Sequence, residues 1–98
     1  MQELRFSWDP HKAQANERKH GISFEEASTV FLDDNALLQA DPEHSEEEDR
    51  FLLLGLSARV RVLVVCHCFW EAKGIIRLIS ARRATKPEKR QYLERCRQ

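Results

Sequence analysis

The sequence predicts an α+β fold: a mostly antiparallel sheet of about four strands with helices packed on one face, in the order β-α-α-β-β-β-α. Three observations predict it. Two helix-opening signals, Asp9-Pro10 and Ser23 with Glu26, fall in the first third of the chain. Three strand-like runs follow, Arg50–Leu56, Val60–Trp70 and Ile75–Arg82, joined by short links. A last helix signal, Thr85 with Glu88, closes the series.

Taken in order, Leu4 to Trp8 alternates apolar and polar residues, the pattern of a half-buried strand. Asp9 is a favoured N-cap, and Pro10 suits the first helical position. That helix carries Ala13, Asn16, Glu17 and His20 on one side and stops at Gly21. The side is barely apolar, so it is either weakly held or has polar work to do. Ser23 and Glu26 spell a capping box, with Ile22 and Ala27 as its hydrophobic staple. Phe24, Ala27, Val30 and Phe31 then form a stripe for the core. Ala36–Ala40 reads as a brief strand before an acidic loop, and Ser57-Ala58-Arg59 links two antiparallel neighbours. Glu71–Gly74 is a turn. The final helix presents Tyr92, Leu93 and Cys96. No repeat or long linker divides the chain, so residues 1–98 make one domain.

A chain of 98 residues buries a modest core. Its site is therefore expected to be a shallow cleft or an open sheet face, which suits a polymer better than a small metabolite. No run approaches the length of a membrane span and no apolar leader opens the chain, so the expected location is cytoplasmic, with no membrane partner. Three cysteines, Cys66, Cys68 and Cys96, fit reduced thiols. Cys66 and Cys68 flank His67, but on a strand they share one face while His67 takes the other. They are expected in the core, with no metal and no cofactor.

Formal net charge is zero, yet it is unevenly spread. Asp41, Glu43, Glu46, Glu47, Glu48 and Asp49 crowd one loop, whereas Arg82, Arg83, Lys86, Lys89, Arg90, Arg95 and Arg97 crowd the C-terminal end. A segregated basic face is a candidate phosphate site. Three clusters can carry chemistry. One is Lys12, Asn16, Lys19 and His20 on the first helix; the second is His67; the third is Arg82-Arg83, followed by Glu88 and Tyr92. Each has a plainer reading. The helix cluster is a solvated face, His67 a half-buried histidine, the arginine pair an anchor for the acidic loop, and Tyr92 core packing. An even hairpin loop places His67 on one face with Ser80 and Arg82; an odd loop aligns it with Arg77 and Arg83.

Several motifs then combine. They are Trp8-Asp9-Pro10 with Lys12, Asn16 followed by Lys19-His20-Gly21-Ile22-Ser23-Phe24, Glu26-Ala27, Arg50 with Gly55, and Ile79-Ser80-Ala81-Arg82-Arg83-Ala84-Thr85 with Glu88, Arg90 and Tyr92. Over Phe6 to Tyr92 the chain resembles the BrnT toxin family. That resemblance implies a RelE-like ribonuclease toxin of a bacterial type II toxin–antitoxin system, inhibiting translation and neutralised by a BrnA-type antitoxin. Operator DNA would be reached only through the antitoxin, and a dimer or heterotetramer with it is the expected assembly. The family's functional positions would fall on Lys19 or His20, Glu48, Arg50, Arg82 and Arg83. One stretch departs from the pattern: a charged run is expected where Cys68-Phe69-Trp70 stands.

The expected reaction is metal-independent cleavage through the ribose 2′-hydroxyl. It needs a base, an acid and cations for the phosphorane charge. Catalytic candidates are Arg82, Arg83, His67, Lys19, His20 and Glu48. RNA-binding candidates are Lys12, Arg50, Lys86, Arg90 and Tyr92. The antitoxin is expected to cover the basic face from Arg82 to Arg90. The alternatives are a non-catalytic RNA-binding module and an interaction protein that uses Phe69-Trp70.

Overall fold

Leu52-Leu53-Leu54 and Leu63-Val64-Val65 run apolar without alternation. Strands of that kind need cover on both faces of their sheet. The computed structural model, which describes residues 4–43 and 49–98 (the Glu71 side chain excepted), provides it. The elements are β1 (Arg5–Ser7), α1 (Pro10–His20), α2 (Phe24–Thr29), β2 (Leu37–Ala40), β3 (Arg50–Leu56), β4 (Val62–Trp70), β5 (Ile75–Arg83) and α3 (Lys86–Cys96). Single 3-10 turns lie at Val30–Leu32 and Glu71–Lys73.

The five strands form one sheet in the order β1-β5-β4-β3-β2. The sheet has one strand more than expected and is not wholly antiparallel. Leu37–Ala40 pairs fully with β3, and β1 joins the far edge in parallel with β5, making the sheet mixed. The expectation of helices on one face also fails. Ile22, Phe24, Ala27 and Val30 cover Leu53, Leu63, Val65, Leu78 and Ala81 on the first face. Tyr92 of α3 covers Leu54 and Val64 on the second. Of the expected α3 stripe only Tyr92 is buried; Leu93 and Cys96 are exposed.

Polar side chains fasten these layers. Asn16 is buried, and its amide nitrogen donates to the carbonyls of Ile22 (3.0 Å) and Ala81 (2.9 Å), while its oxygen accepts from the Ala81 amide (3.0 Å). The polar side of α1 thus holds β5 where β1 has ended. Asp33 accepts from the Leu56 amide (2.8 Å) and the Tyr92 hydroxyl (2.6 Å), which ties α3 and β3 to the turn after α2. Burial pushes the Tyr92 hydroxyl well above its usual range, and Asp33 adds to the effect.

The Ser23–Glu26 capping box forms only in half. Ser23 Oγ accepts from the Glu26 amide, but the Glu26 carboxylate accepts instead from Ser57 (2.7 Å) and from Arg61 through Nε (2.9 Å) and Nη2. A buried carboxylate is better satisfied by a guanidinium fork than by one amide. Among the described residues, no helix is long and apolar enough to cross a membrane.

Candidate active site

The hairpin of β4 and β5 decides which residues meet. Trp70 pairs with Ile75 and His67 with Leu78, so the linking loop is even. Cys66, however, pairs with Ser80, which leaves Ile79 as an extra residue in β5. A β-bulge reverses the facing of everything beyond it. Ser80 and Arg82 therefore stand on the second face with Cys66, and His67 stands on the first. Neither of the two alternatives holds whole: the even loop does not bring His67 to Arg82, and of the odd-loop pair Arg83 shares the face of His67 while Arg77 does not.

On the second face, beside the end of α3, lies an open cleft of about 320 Å³. Arg50, Leu52, Cys66, Ser80 and Arg82 line its floor, and Asp41, Pro42 and Glu43 form a wall. Asp41-Pro42 is a turn-initiating pair. The Asp41 amide donates to the Arg50 carbonyl (2.9 Å), and its carboxylate accepts from the Glu43 amide (3.1 Å). Its other oxygen faces Cys66 Sγ at 3.7 Å. Burial, and then the Asp41 charge, push the Cys66 thiol up to about 11. At neutral pH it stays a thiol and gives its hydrogen to Asp41.

Arg82 forms a bidentate pair with Glu88 at 2.8 and 2.9 Å. The pair removes much of the arginine's net field but fixes the guanidinium plane. A guanidinium has five N–H groups, and two engage Glu88 while a third reaches the Arg83 carbonyl at 3.3 Å. With 40% of its side chain exposed, Arg82 keeps donors for a ligand. Glu88 also accepts from the Thr85 amide (2.8 Å), completing the capping box of α3.

Arg82, then Thr85, hold the Glu88 carboxyl down to about 2. The Arg61 guanidinium lowers Glu26 in the same direction. Depressed carboxyls stabilise the fold above their unfolded values, and that stability is lost as pH falls through the folded ones. The urea midpoint is therefore expected to drop as pH goes from about 4.5 towards about 2. Glu88→Gln should flatten that drop. Parallel pH curves for the two chains would refute the assignment.

The other candidates fall elsewhere. His67 is 5% exposed on the first face, with Nδ1 3.2 Å from the Val65 carbonyl oxygen and its ring edge-on to Phe31 at 4.8 Å. Burial lowers its pKa, which keeps it neutral. It lines a separate apolar groove with Phe31, Leu38, Phe51 and Phe69. Placement there removes it from the cleft that Arg50 and Arg82 line. Tyr92, expected to bind RNA, is buried against Leu54 and Val64 with its hydroxyl committed to Asp33, because α3 needs it as an anchor.

Lys12 and Lys19 are exposed, and His20 partly so, on α1, the helix that packs on the first face. Asn16, between them, is structural. Arg83 is exposed opposite Leu63, also on the first face. Lys86 and Arg90 are exposed on α3, the helix that brings Glu88 to Arg82. Glu48 lies outside the described residues.

Sequence reasoning missed Asp41, Ser80 and Cys66 as cleft residues. Asp41-Pro42 was a legible turn signal, but nothing marked the bulge that turns Ser80 towards it. Among the described residues, no group of three or more His, Cys, Asp or Glu side chains is placed to hold a metal ion.

A family model described as the ribonuclease toxin BrnT of type II toxin–antitoxin systems matches residues 8–88. The crystal structure of the Brucella abortus ribonuclease toxin BrnT superposes with a TM-score of 0.66 at 21% identity, covering 86% of this chain and 100% of that one. At that identity the likeness is one of fold. No curated protein matches the sequence.

Proposed function

The chain belongs to the BrnT family of ribonuclease toxins of type II toxin–antitoxin systems, and from that premise we propose that it cuts RNA in the cleft on the second sheet face. One observation carries the choice of site: Arg50 and Arg82 line a single open cleft together with the carboxylates of Asp41 and Glu43. Cations for a phosphate and a carboxylate for a hydroxyl proton are the parts this reaction needs.

In the proposed step the ribose O2′ attacks the adjacent phosphorus, the P–O5′ bond breaks, and a 2′,3′-cyclic phosphate and a free 5′-hydroxyl result. Exposed Glu43 takes the 2′-hydroxyl proton, and the leaving oxygen takes one from water in the open cleft. Arg82, held flat by Glu88, grips the scissile phosphate through its remaining N–H groups. Arg50, Lys86 and Arg90 hold flanking phosphates. Because Arg82 and Arg50 would offer the phosphorane oxygens fixed N–H donors, the reaction is proposed to be metal-independent. His67, Tyr92, Lys12, Lys19 and His20 take no part in the cleft.

A BrnA-type antitoxin is proposed to neutralise the toxin by covering the basic face from Arg82 to Arg90. Stopping translation would follow from loss of message.

Glu43→Gln keeps shape and removes the base. General acid–base help is worth about 10²–10⁴ in rate, so kcat should fall by that range with KM nearly unchanged. An unaltered kcat in Glu43→Gln, with loss in Glu48→Gln instead, would move the base to Glu48.

A further inference from the structure

The second face extends beyond the cleft. Arg50 and Arg77 both stand opposite Cys68, and Trp70 follows two residues further along β4. Trp70 is 41% exposed. The Arg77 guanidinium lies 5.6 Å from its centroid and the Lys73 ammonium 5.9 Å. Arg77 is itself steadied by Ser7 of β1, to whose hydroxyl it donates at 3.4 Å. Phe69 points to the opposite face, where it lines the apolar groove with His67. The two adjacent aromatics therefore do not form one hydrophobic patch suited to a protein partner.

A half-exposed indole with two cations poised over its ring, on the face that carries Arg50 and Arg82, has the composition of a base-stacking platform in which an incoming base exchanges places with a loosely held cation whose charge then meets the neighbouring phosphate. Its spacing also fits. Arg82 stands opposite Val64, and from Val64 to Trp70 the strand advances six residues, or ~20 Å at the usual rise. That is the reach of a few nucleotides of extended single strand.

Resting on the ribonuclease reading above, we infer that Trp70, with Arg77 and Lys73, forms a second RNA subsite that stacks an unpaired base a few nucleotides from the scissile phosphate. The subsite makes the enzyme prefer single-stranded stretches longer than the bond it cuts.

The test compares binding of an uncleavable 2′-O-methyl RNA hexanucleotide with that of the matching dinucleotide. A base–aromatic stack is worth enough that Trp70→Ala should weaken the hexanucleotide about tenfold while leaving the dinucleotide unchanged. Trp70→Phe should retain most of the affinity. In the unmodified chain the hexanucleotide should quench Trp70 fluorescence over a constant background from Trp8, which packs against Phe24. Removing one base from the hexanucleotide, to one side of the cut, should cost as much as Trp70→Ala, and the two losses should not add.

Hexanucleotide affinity unchanged by Trp70→Ala, or an equal loss for both ligands, would overturn the subsite. So would faster release of the antitoxin with RNA binding intact, which would make Trp70 a protein contact. If the unmodified chain cuts RNA, those results leave the ribonuclease reading standing. If it neither binds nor cuts RNA, both fall.

Discussion

Arg82→Ala is expected to slow RNA cleavage by about 10²–10³ with the fold retained, the usual consequence of removing one fixed donor from a developing oxyanion. Arg82 leaves β5 just beyond the bulge, faces the same cleft as Arg50, and is held in plane by Glu88 at 2.8 and 2.9 Å. The pairing fixes the orientation before substrate arrives, so little is lost in ordering the side chain on binding. Arg82→Lys should recover only part of the rate, because an ammonium is a point charge and cannot match two phosphate oxygens at once. Arg82→Ala also takes the guanidinium from Glu88, and Arg82→Lys leaves it at most a single ammonium contact, so activity belongs at a temperature well below unfolding, with circular dichroism as the control. Full activity in a folded Arg82→Ala chain would remove this residue from the site.

The largest structural effect is expected at Gly55. It lies in β3 under the turn after α2, and an added Cβ would stand 2.8 Å from Val30 Cγ1, 2.9 Å from Ala36 Cβ and 3.1 Å from Asp33 Oδ2. Ala36 Cβ is fixed by its own backbone and cannot swing aside, and Val30, fully buried, has no open space to turn its methyl into. The third is the carboxylate that holds Leu56 and Tyr92. Gly55→Ala should therefore cost about 1–3 kcal/mol by overpacking. In a domain of this size that lowers Tm by about 4–8 °C for each kcal/mol. Urea unfolding that matched the unmodified chain would show that the close approach is absent in solution.

Much of the fold was legible because local signals and long-range packing agree. Asp9-Pro10, Gly21 and Thr85 with Glu88 mark helix ends that depend on neighbouring residues alone. Arg50–Leu56 carries its strand in its own apolar run. The placement of α3 was missed although a clue was present. Leu52-Leu53-Leu54 does not alternate, and a strand apolar on both sides needs two covers. Parallel pairing of β1 was out of reach, since a three-residue edge strand carries no record of its direction.

The site divides in the same way. Arg50 and Arg82 were chosen from the sequence, and they line one cleft. His67 was chosen on residue type, but its position depends on the single extra residue at Ile79. No local propensity distinguishes a bulge there from a regular ladder. Tyr92 and Asn16 show the reverse failure. Each looks chemically able, and each spends its polar atoms on holding a helix to the sheet.

The central claim is that the arginine-lined cleft cuts RNA by its own side chains. Incubating the purified chain with end-labelled single-stranded RNA in EDTA, beside an Arg50→Ala Arg82→Ala chain of matching circular dichroism, tests it directly. The account predicts chelator-resistant cleavage that leaves 2′,3′-cyclic phosphate ends, and its loss in the double variant. Cleavage that EDTA abolishes, or that the double variant performs undiminished, would contradict it.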